Sequence, residues 1–219
     1  MFQDINIENI LIQALVLFLA IGLHEYAHCK VADLAGDPTP SKFGRVTLNL
    51  TKHFEPLGVI MMIVTSIAGR GIGWGRPSPM NPRLMRNPRW DHFAAVAAGP
   101  LSNMVQACIY AVLLQLMMRS GLFFNGINQY NALTLKFLYY GVYINIALAC
   151  FNLIPFGPLD GRWLLGLLLP EKLRYRFFRF NDMVGMPGLL MVALLFPETF
   201  YRVYGPVADA AAKLLLPNI

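Results

Sequence analysis

The sequence predicts an all-α integral membrane protein of about four to six transmembrane helices, with a short cytoplasmic β or re-entrant connector between the first two core helices. Three observations predict it. Over 219 residues, 56% of the side chains are hydrophobic and only 14% charged, against roughly 25% charged in an ordinary soluble domain. Two windows, Phe93 to Met118 and Phe137 to Leu159, contain no Asp, Glu, Lys or Arg, and each exceeds the ~20 residues that cross a hydrocarbon core as a helix. The basic residues fall in blocks between apolar stretches, as they do in loops retained on the cytoplasmic face. The expected organisation is a single membrane-embedded domain over 1–219, with a core over 8–161 and C-terminal helices over 162–219.

A first spanning helix is expected from about Glu8 to Ala35, stopped by Gly36-Asp37-Pro38. The stretch before it, Met1 to Asn9, has Asp4 and Glu8 but no Lys or Arg, so it lacks the basic start of a secretory signal, and the first apolar segment is expected to be retained. Next, Val46, Leu48 and Leu50 alternate within Ser41 to Thr51, which predicts a short strand or hairpin edge. The apolar patch over 57–69 is too short for a comfortable span, and charge decides its reading. Eight Lys and Arg residues lie between Gly36 and His92, on both sides of the patch. A crossing would export five of them, whereas a dip keeps all eight in the cytoplasm.

Four prolines between Pro77 and Pro88 argue for an extended cytoplasmic connector. A second span is expected from about Asp91 to Met118 and a third from about Leu133 to Ile154, broken by Pro155 and Pro158. Gly161 to Asp182 holds five basic and two acidic residues, which returns the chain to the cytoplasmic side. A short fourth span over Met183 to Pro197 and an amphipathic tail from Glu198 complete the expectation. The N-terminus is thus placed outside and the connectors inside.

Net charge is +6, from 18 basic and 12 acidic residues. With no recognition-helix or RNA-binding pattern around those residues, the charge is read as facing lipid headgroups, and nucleic acid is excluded as a partner. Cys29, Cys108 and Cys150 sit in apolar stretches without paired spacing, so no disulfide framework is expected. Cys29 adjoins a candidate ligand but points about 100° around the helix from it.

The chemistry lies in His24-Glu25-Tyr26-Ala27-His28, in the last half of the first span. Histidines four apart share one helical face, so both imidazoles can bind one metal, with Glu25 placed to take the proton of a water activated there. Three ionisable groups within five residues are costly in lipid unless they line a cavity or bind a metal. A catalytic zinc needs a third protein ligand. His53 and His92 fall in connectors and read as surface or structural residues. Asp160 is the only acid between Phe93 and Leu169, and a carboxylate there becomes neutral unless a cation compensates it. The competing reading for Asp160 is an ion pair with Arg162. Both the first and third spans end toward the cytoplasmic side, so Asp160 can reach the histidines.

With Gly99-Pro100-Leu101-Ser102-Asn103 and Asn152 to Gly161, the histidine motif makes three motifs in order, and the chain resembles the site-2 protease family of intramembrane zinc metalloproteases. The pattern Gly44-Arg45, Leu48-Asn49, His53 and Pro56-Leu57-Gly58 resembles its compact bacterial and archaeal branch, without a PDZ or CBS domain. The resemblance implies one zinc per chain held by His24, His28 and Asp160, with Glu25 as acid and base. It also implies transmembrane protein substrates and a bacterial or archaeal cytoplasmic membrane. Asn152 has two readings, an interhelical hydrogen bond or a hand on the substrate or oxyanion; Asn103 is read as packing. Arg45 to Leu50 and Ser78 to Asn81 are candidate edges for capture of unwound substrate by strand addition, the competing reading being that they are only connector. The alternative function is a non-proteolytic metal-binding scaffold or transporter-like protein, against which stand the intact Glu25 and the lack of ionisable residues on successive spans.

Overall fold

The structure is a computed structural model that describes residues 7–56, 58–60, 75–120, 129–195 and 197–215. Its long helices are α1 (Ile7–Leu34), α3 (Trp90–Arg119) and α4 (Gln129–Asn152), all three long and apolar enough to cross a membrane. Between α1 and α3 lie the single-turn α2 (Thr39–Lys42) and two 3-10 turns, Leu50–His53 and Pro82–Leu84. After α4 come α5 (Asp160–Leu168), α6 (Glu171–Phe180), a π turn over Asn181–Gly185, α7 (Met186–Leu195) and α8 (Pro197–Leu215). The protein is an all-α membrane protein.

The strand expected within Ser41 to Thr51 does not form: among the described residues there is no strand. Gly44 turns the chain with φ +64, Phe43 and Gly44 close helical turns back to Thr39 and Ser41, and Leu50–His53 tightens into a 3-10 turn. Without a neighbouring strand to pair with, alternating apolar residues have no ladder to join, and local turns satisfy the backbone instead. The dip proposed for 57–69 lies almost wholly outside the described residues.

Helix α1 stops as its sequence requires. Gly36 adopts φ +102, its N–H donates to Asp33 O at 3.0 Å, and the Asp37 N–H donates to Ala32 O at 3.1 Å, the paired bonds of a Schellman end that favours glycine. The fully buried Asp37 then accepts from the Thr39 N–H at 2.9 Å and from the Asn81 N–H at 2.6 Å. One carboxylate thereby ties the end of α1 to the connector that leads into α3.

Helices α1, α3 and α4 pack on one another, α8 lies on α4, and α5 lies on α3. Small and branched residues fill one half of this bundle: Ala107, Ala111 and Leu114 of α3 meet Leu138, Val142 and Ile146 of α4, with Ala208 of α8. Leu101, Val105, Ile109, Val112 and Leu116 are exposed along α3 at the spacing of one helical face, the apolar surface that a bilayer solvates. Pro100 sits inside α3; a missing backbone donor is tolerated in membrane helices, where neighbours re-satisfy freed groups.

Candidate metal centre

His24 and His28 lie on the buried face of α1, 6% and 4% exposed, and α3 crosses against them at Gly99. A β-carbon there would stand 2.3 Å from His28 Nε2 and 2.7 Å from His24 Cε1, closer than atoms can approach. Glycine is therefore what lets α3 pack over the imidazoles.

Asp160 arrives from the far side as the first residue of α5, where a carboxylate also suits the positive helix end. Several contacts hold it there. Arg89 Nε at the start of α3 donates to Leu167 O at 2.8 Å, and the His92 and Trp163 rings lie 5.2 Å apart. Gly157, at φ +66, turns the chain before α5, its N–H bonded to Asn181 Oδ1 at 3.0 Å.

The result is a convergence of three ligand atoms. His24 Nε2 is 3.2 Å from Asp160 Oδ2, His28 Nε2 is 3.4 Å from Asp160 Oδ1, and the two Nε2 atoms are 3.0 Å apart. The surrounding hydrogen bonds assign the tautomers. His24 Nδ1 faces Asn103 Oδ1 at 2.7 Å, and His28 Nδ1 faces Ala95 O at 2.8 Å. Both partners are acceptors: Asn103 Nδ2 already donates to Ala20 O at 3.2 Å and to Asn145 Oδ1 at 2.9 Å, while Asn145 Nδ2 donates to Gly141 O at 2.8 Å. Each neutral imidazole then carries its proton on Nδ1 and turns its Nε2 lone pair inward.

Two lone pairs and a carboxylate facing one another at such range repel unless a cation lies between them, and Asp160 Oδ2 is buried with no hydrogen-bond donor. Ligand atoms around one tetrahedral zinc with bonds of ~2.0–2.1 Å stand about 3.3 Å apart, so zinc fits this set. His24, His28 and Asp160 are the group of possible metal ligands found among the described residues.

Glu25 is placed beside this centre, with its Oε2 accepting from Ser78 Oγ at 2.7 Å. Arg162 does not pair with Asp160; it pairs with Asp182, and its guanidinium lies 5.1 Å from the Trp163 ring centre. His53 and His92 are both buried and stand apart from the cluster. His53 Nε2 lies 2.9 Å from Thr47 O, and burial pushes that imidazole below its ordinary range. Cys29 bonds Ser78 Oγ rather than joining the ligands. Asn152 Nδ2 donates to Leu148 O of its own helix at 3.0 Å and is not joined to the cluster by a hydrogen bond. The sequence reading passed over Asn145 and gave Asn103 only a packing role. Both are amides in the charge-free windows Phe93 to Met118 and Phe137 to Leu159, the one signal that could have marked them as supports for a buried polar group.

A bundle of apolar helices brings a histidine pair from one and an aspartate from another into a candidate metal centre, and the comparisons give its class as that of the metalloproteases. The model of peptidase family M50 matches residues 12–195. The chain is 36% identical over 165 residues to "Putative zinc metalloprotease YwhC" of Bacillus subtilis (strain 168), covering 73% of this chain and 70% of that protein. No solved structure matches. The chain belongs to peptidase family M50, the site-2 proteases, a membership that implies zinc.

Proposed function

We propose that this protein is an intramembrane zinc endopeptidase that cleaves transmembrane segments of other membrane proteins, using one zinc held by His24, His28 and Asp160. The observation that carries the reading is the approach of Asp160, distant in sequence, to the inward lone pairs of both imidazoles. When bound, zinc supplies a Lewis acid that acidifies water and polarises a carbonyl. Glu25 accepts the water proton on its carboxylate and returns it to the departing amine nitrogen. Asn103 and Ala95 O keep the imidazoles in the tautomer that ligates.

His24 lies ten residues before the end of α1, ~15 Å of helix rise, which supports a centre below the headgroups. The blocks of Lys and Arg after α1 and after α4 support a cytoplasmic side for that end and an N-terminus outside. A helical substrate hides its amides in hydrogen bonds, so a stretch of it unwinds before reaching Glu25.

The test pairs metal analysis with cleavage of single-span reporter peptides in vesicles, by the wild type and Glu25→Gln. Both proteins are expected to retain about one zinc per chain, while the variant loses on the order of 10²–10⁴-fold in turnover. Zinc bound without wild-type cleavage of several reporters would favour the scaffold reading.

A further inference from the structure

The connector between the first two spans reaches back to α1, and one of its side chains touches Glu25. Ser78 Oγ lies 2.7 Å from Glu25 Oε2 and 3.1 Å from Glu25 O. A hydroxyl has a single proton, and the shorter, charge-assisted bond to the carboxylate claims it. Cys29, one turn beyond Glu25 on α1, donates its thiol proton to Ser78 Oγ at 3.2 Å. The serine is thus the middle of a directed chain that runs from thiol to hydroxyl to carboxylate.

Several contacts outside that chain seat the segment. The Arg76 N–H donates to His53 O at 2.7 Å, and Arg45 Nη2 donates to Arg76 O at 2.6 Å. Arg45 is only 3% exposed, so this grip is internal. Three residues beyond Ser78, the Asn81 N–H is held by Asp37 at 2.6 Å. On the other side, a β-carbon at Gly75 would stand 2.8 Å from Glu25 Cγ and 3.1 Å from its Oε1, so the backbone itself walls the glutamate.

From these contacts we infer that Ser78 is a positioning residue for Glu25: it fixes one carboxylate oxygen, leaving the other to handle the proton. The inference rests on the role proposed above for Glu25. A long, flexible glutamate side chain has many rotamers, and only those aimed at the reacting water are useful. The serine removes the rest, by a bond that exists only while the connector is seated on α1.

The experiment uses the full chain in vesicles with a single-span reporter peptide that the wild type cleaves. Ser78→Ala is expected to lower kcat on the order of 10–100-fold, the range for losing a supporting hydrogen bond at a metal site. KM, zinc content and melting temperature stay at wild-type values. Ser78→Thr, which keeps the hydroxyl at this half-buried position, is expected to return kcat to within a few-fold of wild type. An unchanged kcat in Ser78→Ala overturns the inference. So does a loss accompanied by lower zinc content, raised KM or a lowered melting temperature, or one that threonine fails to restore. Glu25→Gln, run alongside, separates the two ideas. If it still cleaves, the proton role of Glu25 is wrong; if it is inactive while Ser78→Ala is normal, only the serine has been misread.

Discussion

Helices α3 and α4 are built on opposite principles at their two ends. Where α3 and α4 meet over Ala107, Ala111, Leu114, Leu138, Val142 and Ile146, the contact is entirely apolar. Toward the other end, His24, Asn103 and Asn145 form a buried hydrogen-bonded relay from one helix to the next, and His28 bonds Ala95 O. Lipid tails are as apolar as leucine, so the first region gains from close packing alone, whereas the second replaces hydration that the bilayer cannot give. The difference teaches a division of labour. The apolar end holds the helices together, and the polar end spends its hydrogen bonds on ring orientation.

That division can be broken by substitution. The largest effect is expected from Gly99→Val, which drives a β-carbon onto both imidazoles; zinc retention after dialysis should be lost, and cleavage with it. Asp160→Asn comes next: the fold should survive, because Asp160 accepts no donor at Oδ2, but zinc content should fall for want of the anionic ligand. Asn103→Ala should weaken zinc by on the order of 10–100-fold, read by competition with a chelator, since the outer partner of His24 is removed. Leu114→Ala should cost about 2–5 kcal/mol in stability, measured by denaturation in detergent, while zinc affinity stays within ~twofold. If it loosened zinc as much as Asn103→Ala, the two ends would not be separate. The smallest effect is expected from Asp182→Asn, which removes an exposed partner of Arg162 worth at most ~1 kcal/mol. A drop in zinc affinity there would mean that the released Arg162 turns to Asp160.

How far the sequence could be read depends on the range of the interaction. The first three spans were legible to within a few residues, because a long apolar run has one low-energy form in lipid, whereas the fourth expected over Met183 to Pro197 is not among the described helices long enough to cross. The end of α1 was legible because Gly36-Asp37-Pro38 is a local stop. Alternation in Val46, Leu48 and Leu50 misled, since a strand needs a partner and the surrounding turns offer none. Asp160 stood out as a lone acid in apolar sequence, yet nothing local could aim it. Ser78 lies 53 residues from Glu25 in a segment whose composition says only that it is extended.

The sequence by itself determined the membrane-spanning helices and the common face of His24 and His28, because helical periodicity places residues four apart on one side regardless of what surrounds them. Only the tertiary structure decided that Asp160 completes the cluster, that Asn103 and the Ala95 carbonyl set the imidazole tautomers, and that Ser78 holds Glu25. Those contacts join separate helices and the connector, and their distances follow from how closely α3 can approach α1 at Gly99, a property of packing rather than of any one segment.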